Sequence, residues 1–278
     1  MKINRILLAV LTSALLFPAC THKWEEEEES AITEVQAVFP TGTKTILDSE
    51  TGNVSWMPAE KINLFFNGVS AKFTSTNTAI ADVATFTGNL PIAVGYTNEL
   101  QGPTYTWGLY PYNATATSDG ASITSTLADQ QTAAESTVAN GLLMSVARSE
   151  SYRLAFYNVC GGVRFKLATE GVTSVTMKSN GGEALAGKVK IGFDEENLPE
   201  ILEVVDSKTE VTLTCGSGFK TGVWYYIATL PCNLPNGVTF TMHTDSMTAT
   251  RIIDRSLDVK RSIFGSIANL DEGVVWKK

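Results

Sequence analysis

Apolar residues recur at every second position along most of this chain, and that alternation restricts it to one class of folds. Val35, Ala37 and Phe39 alternate with polar neighbours, as do Ile62, Leu64 and Phe66. Val163, Phe165 and Leu167 alternate with Arg164 and Lys166; Val189, Ile191 and Phe193 with Lys188 and Lys190; Val238, Phe240 and Met242 with Thr239, Thr241 and His243. Successive side chains of a strand point to opposite faces, so period two describes strands with one buried face, the pattern of antiparallel sheets. Asn67-Gly68, Asn180-Gly181 and Asn236-Gly237 supply the positive backbone angles of tight reversals. Helical spacing is confined to Leu127–Glu135 and Val138–Arg148. Short strands without long helices between them predict an all-β protein of β-sandwiches with Greek-key connections, and 278 residues suggest two sandwiches in series. The polar segment Ala147–Arg153 places their boundary near residue 150, giving domains at 31–150 and 151–278.

The first thirty residues follow different rules. Lys2 and Arg5 form a basic start, and Ile6 to Phe17 is an unbroken run without charge. This run is shorter than the roughly 20 residues needed to cross a bilayer, so it reads as the hydrophobic region of a signal peptide spanning residues 1–19. Phe17-Pro18-Ala19-Cys20 puts a small residue directly before a cysteine, the arrangement of a lipoprotein processing site. Cys20 is therefore the expected lipidation site, carrying palmitate-type acyl chains that hold the mature chain on a membrane, since each buried methylene contributes about 0.8 kcal/mol. Residues 20–30 are then a tether, with Glu25, Glu26, Glu27, Glu28 and Glu29 in succession. By charge alone such a run is a solvated spacer. Its place just past a lipidated cysteine resembles the export signal of surface lipoproteins in the Bacteroidetes, which implies display on the outer face of the outer membrane.

The chain carries 29 acidic against 21 basic residues, and the basic ones are scattered singly, so no nucleic-acid partner is expected. Beyond Cys20 there remain Cys160, Cys215 and Cys232, enough for at most one disulfide. Their apolar or Gly-rich surroundings read as those of small buried hydrophobes. No metal-ligand spacing occurs, and no cofactor motif.

Several local patterns, in order, resemble fimbrillin-like proteins, the type V pilus subunits of Bacteroidetes. They are Gly52-Asn53-Val54-Ser55-Trp56 before Glu60-Lys61-Ile62-Asn63; Leu109-Tyr110-Pro111-Tyr112; Gln130; Leu154 to Phe165 with its Gly161-Gly162; Gly187-Lys188-Val189; and Trp224-Tyr225-Tyr226-Ile227-Ala228-Thr229-Leu230-Pro231. The resemblance spans roughly residues 40 to 265, with Glu60 where the family has Asp. It implies two transthyretin-like sandwich domains and a non-enzymatic protein, a pilus subunit, anchor or adhesin. Such a protein pairs with other pilin subunits by strand exchange, or binds a host or bacterial surface ligand. It also implies removal of a first strand by a protease, for which Lys44 is the candidate site here, because no arginine lies between Cys20 and Arg148.

The residues themselves carry no catalytic constellation. His22 lies in the tether and His243 on the polar face of a strand, and no nucleophile elbow, zinc helix or phosphate loop is present. Asp194-Glu195-Glu196 reads as a solvated turn. Trp56, Trp107, Tyr110, Tyr112, Trp224 and Tyr225 read as packing groups, whereas a solitary glycan-binding lipoprotein, the alternative, would expose one of them, such as Trp107, as a sugar platform.

Overall fold

The computed structural model describes residues 31–40, 55–92, 105–139 and 142–278, and all regular structure among them is β-strand. Cys20, Glu25 to Glu29 and Lys44 lie outside the described residues. The first strands are β1 (Ala31–Val38), β2 (Lys61–Phe66), β3 (Val69–Ser75), β4 (Val83–Pro91) and β5 (Thr106–Tyr110). Next come β6 (Thr117–Ser118), β7 (Ile123–Leu127), β8 (Gln130–Thr132), β9 (Ser145–Ser149), β10 (Arg153–Ala155) and β11 (Tyr157–Asn158). The later part holds β12 (Gly161–Phe165), β13 (Val172–Ser179), β14 (Ala186–Phe193), β15 (Pro199–Lys208), β16 (Glu210–Thr214) and β17 (Tyr225–Thr229). The last are β18 (Cys232–Leu234), β19 (Val238–Thr244), β20 (Thr248–Ile253), β21 (Leu257–Val259) and β22 (Phe264–Ile267).

Eight strands form one sheet in the order β10-β1-β4-β3-β2-β5-β9-β11. Its two end strands are consecutive in the chain, joined only by the buried Phe156, so the sheet curls round a core and is tied shut by one short segment. That core holds Ile32, Val35, Ala37, Phe39, Trp56, Ile62, Leu64, Phe73, Phe86, Leu154 and Phe156. The reversal from β2 to β3 uses Asn67 at φ 48° and Gly68 at φ 77°, the double positive-φ pair of a two-residue hairpin turn.

A second core fills the remainder, between a five-stranded sheet (β20-β19-β13-β16-β8) and smaller sheets of order β15-β14-β7-β6 and β17-β12-β22. Val163 and Phe165, Val189 and Ile191, Val238, Phe240 and Met242 all face it, as their alternation predicts. Gly162, at φ 154°, sits where a Cβ would fall 2.0 Å from the Ile227 carbonyl oxygen, so β12 and β17 approach as only glycine permits.

Strand pairing crosses residue 150. β7 pairs with β14 and β8 runs parallel to β16, while Phe65, Trp107 and Leu109 on β2 and β5 turn their side chains into the second core. β2 and β5 are consequently buried on both faces, so that Asn63 and Phe65 are buried along with Ile62 and Leu64 of the alternating set. Asn63 fixes the departure of the chain from β5: its side-chain amide donates to the Asn113 carbonyl at 3.0 Å, and its Oδ1 accepts the Asn113 amide at 2.7 Å. The stretches expected to be helical are not. Leu127–Glu135 contains the end of β7, then β8 and a turn, and Ser145–Ser149 within the other is β9. Pairing with distant strands β16, β5 and β11 overrides the weak local periodicity.

One polar tie makes the second half acid-sensitive. Asp119, beside the β6–β7 turn, pairs with Lys190 of β14 at 2.9 Å and accepts the Ala121 and Ser122 amides. Burial raises its carboxyl, but Lys190 and these donors outweigh that and hold it at about 2. A depressed carboxyl stabilises the fold above its unfolded pKa of about 3.9 and loses that contribution as pH falls toward 2. With both partners more than a third exposed, solvent screening keeps the contribution of the tie small. Melting curves of Asp119→Asn should therefore lie slightly below the parent's at pH 6 and converge with them only as the pH falls through about 2.

Candidate strand-exchange site

β1 has the sequence Ala-Ile-Thr-Glu-Val-Gln-Ala-Val, and its inward side chains are Ile32, Val35 and Ala37. Val35 and Ala37 obey period two. Ile32 reaches the same face because the register against β4 shifts between Ile32 and Glu34. β1 is bonded on both sides, antiparallel to β4 from Ala31↔Pro91 to Val38↔Val83 and parallel to β10 over Gln36↔Arg153 to Val38↔Ala155. The parallel side includes the Gln36 amide donating to the Tyr152 carbonyl and the Phe156 amide donating to the Val38 carbonyl, each at 2.8 Å. Among the described residues, β1 is the one strand hydrogen-bonded to β10.

Just past β1, Phe39 stacks on Trp56 with centroids 4.4 Å apart. Trp56 is fully buried and meets Phe86, Tyr110 and Phe156 edge-on at 4.9, 5.2 and 5.3 Å. The cage ends in a polar pair: the Tyr110 hydroxyl donates to Glu60 Oε1 at 2.7 Å, and Glu60 Oε2 accepts the Met57 amide. Burial pushes the Glu60 carboxyl above its ordinary range against these two donors, and burial followed by the Glu60 charge pushes the Tyr110 hydroxyl up. These groups make a long apolar seat with hydrogen-bonding edges on both sides and an aromatic floor at one end. Its chemistry is that of holding an extended chain.

Other residues singled out in the sequence fall elsewhere. Trp107 is 2% exposed, which corrects its reading as a possible surface platform; it turns into the second core under the edge of Phe193. Asp194 Oδ1 accepts the Glu196 and Leu198 amides and so closes the β14–β15 turn. His243 Nδ1 lies 3.0 Å from the Thr248 hydroxyl. Cys160, Cys215 and Cys232 are free thiols, and burial pushes Cys160 up to about 12. Among the described residues, no group of three His, Cys, Asp or Glu side chains could hold a metal ion. Neither β10 nor the role of Phe156 is foreseeable from sequence, because a three-residue strand has no measurable period.

No family model matches the chain, and no curated protein matches it. The fold is similar to that in a 2.18 Å crystal structure from Bacteroides ovatus ATCC 8483, described there as a candidate cell adhesion protein. The TM-score is 0.51 at 11% identity, covering 90% of this chain and 96% of that one, so the similarity is one of fold over nearly the whole of both.

Proposed function

We propose that this chain is a non-enzymatic, surface-anchored adhesion protein of fimbrillin-like type, a pilus subunit or anchor that engages its neighbours by strand exchange at the β1 seat. One observation carries this reading: the first described strand occupies a two-edged apolar slot, bonded to β4 on one side and β10 on the other, and β4-β3-β2-β5-β9-β11 remain a continuous paired series without it. The fold shared with the Bacteroides ovatus protein supports an adhesion role. Cys20 would hold the chain on the outer membrane, Glu25 to Glu29 would direct it to the cell surface, and cleavage after Lys44 would release β1 together with the anchor. An emptied slot must be filled by a strand from a neighbour, because unpaired sheet edges over an apolar groove invite pairing.

N-terminal sequencing of the surface-extracted protein, with immunogold microscopy of the same cells, tests this. Acylated Cys20 with label at filament bases identifies an anchor, and a start at Thr45 with label along filaments identifies a shaft subunit. Acylated Cys20 on cells without filaments would contradict assembly.

A further inference from the structure

On the face of the β17-β12-β22 sheet turned away from the second core, at the margin of a small cluster of Val138, Leu143, Tyr226 and Phe264, Arg164 and Lys166 alternate with the buried Val163, Phe165 and Leu167. Both bring their charges over one indole: the Arg164 guanidinium carbon and the Lys166 Nζ each lie 4.7 Å from the centroid of the Trp224 ring. Arg164 Nε also donates to the Ser266 hydroxyl at 2.8 Å, across the parallel pair formed with β22. Among the described residues neither cation makes an ion pair. The nearby carboxylates are committed: Glu135 is paired with Lys220 at 2.7 Å, and Asp271 accepts the Ala168 and Thr169 amides.

Two unpaired cations side by side repel one another, and in a chain with a net charge of -8 such a pairing stands apart from its surroundings. The indole offsets the repulsion by attracting both charges to its ring, and it orients them together at the surface. A guanidinium holds carboxylate or sulfate oxygens in a fixed fork, and an ammonium adds a second point charge. The half-buried indole and the Ser266 hydroxyl offer, beside these cations, an apolar surface and a hydrogen-bonding group of the kind a sugar ring presents in return.

We propose that Arg164, Lys166 and Trp224 bind an acidic sugar polymer through its carboxylate or sulfate groups. The site needs no exchange of β1, so its failure leaves the strand-exchange reading standing, and the converse holds equally. The test is binding of the full chain in detergent to immobilised polygalacturonate, dextran sulfate, neutral dextran and polyglutamate at low ionic strength. Binding to one or both acidic sugars, weakened about tenfold by Arg164→Gln and by Lys166→Gln, is the expected result, since each substitution removes one charge-assisted contact to the polymer. The polymer that binds distinguishes carboxylate from sulfate recognition. Trp224→Phe, which keeps an apolar ring, should weaken binding at an unchanged melting temperature. Lys188→Gln removes one exposed positive charge from β14 and should leave binding as it was. No binding, equal binding to polyglutamate or dextran, or an equal loss in Lys188→Gln would overturn the proposal.

Discussion

A chain beginning at Thr45 is expected to lose the stability of its first half. Ile32, Val35 and Phe39 are each buried, and withdrawing side chains of this size from an apolar core costs about 1.5–3 kcal/mol apiece, or roughly 5–9 kcal/mol together. A whole domain is held by only about 5–15 kcal/mol. The loss extends beyond side chains, because β4 and β10 would lose their bonds to β1, and among the described residues β10 would keep no hydrogen-bonded strand. Unfolding followed by tryptophan fluorescence should show an early transition, or none, for the first core, with a smaller shift for the second core, to which the first sheet contributes Phe65, Trp107 and Leu109. A synthetic peptide of residues 31–40 added in trans should restore the missing transition, since it supplies the same side chains and both edges. A truncated chain as stable as its parent would mean that β1 is ornamental to this core.

Trp56→Ala carries the second largest effect, about 3–5 kcal/mol, in the range of large aromatic deletions from a core. Trp56 is the hub on which Phe39, Phe86, Tyr110 and Phe156 converge. Its indole nitrogen is buried and has no hydrogen-bond partner among the described residues. Replacement by phenylalanine therefore sacrifices no hydrogen bond and should cost much less than alanine. Because Phe39 and Trp56 stack, the two positions should couple: a double-mutant cycle on Phe39→Leu and Trp56→Phe should return about 0.5–1.5 kcal/mol. Both measurements come from chemical denaturation. Equal costs for alanine and phenylalanine at position 56 would show that the cage is not the packed unit described.

What the sequence made legible was the half-buried strand. β12, β14 and β19 have long alternating runs, and their inward residues are those that period two selects. The reading stops where burial is two-sided or pairing is remote. Phe65 lies between Leu64 and Phe66, where only a second packing surface explains its burial, and nothing near it in the chain announces that surface. Ile32 breaks the period of its own strand because of the register shift opposite β4. β10 and β11 are too short to show any period, though they close the first sheet. The aromatic seat was legible in part: Trp56 and Tyr110 read as packing groups, but their convergence with Phe39 and Phe156 depends on four separate segments. Arg164 and Lys166 read as the polar face of a strand, and only the fold places Trp224 against them.

Locking β1 in its own seat tests the central claim most directly. Gln36 and Thr85 are opposed across β1 and β4, and the Gln36 amide points to β10, so theirs is a pair without mutual hydrogen bonds. Such pairs have Cα atoms about 4.5 Å apart, within disulfide reach, and neither side chain belongs to the core. A chain carrying Gln36→Cys and Thr85→Cys, with Cys215 and Cys232 changed to serine, can be treated with a lysine-specific protease and followed by size-exclusion chromatography. Oxidised protein should remain monomeric, with β1 held covalently after the cut, and should form multimers once reductant frees the strand. Multimers of the same size and amount from the oxidised and reduced protein would contradict assembly through the β1 seat.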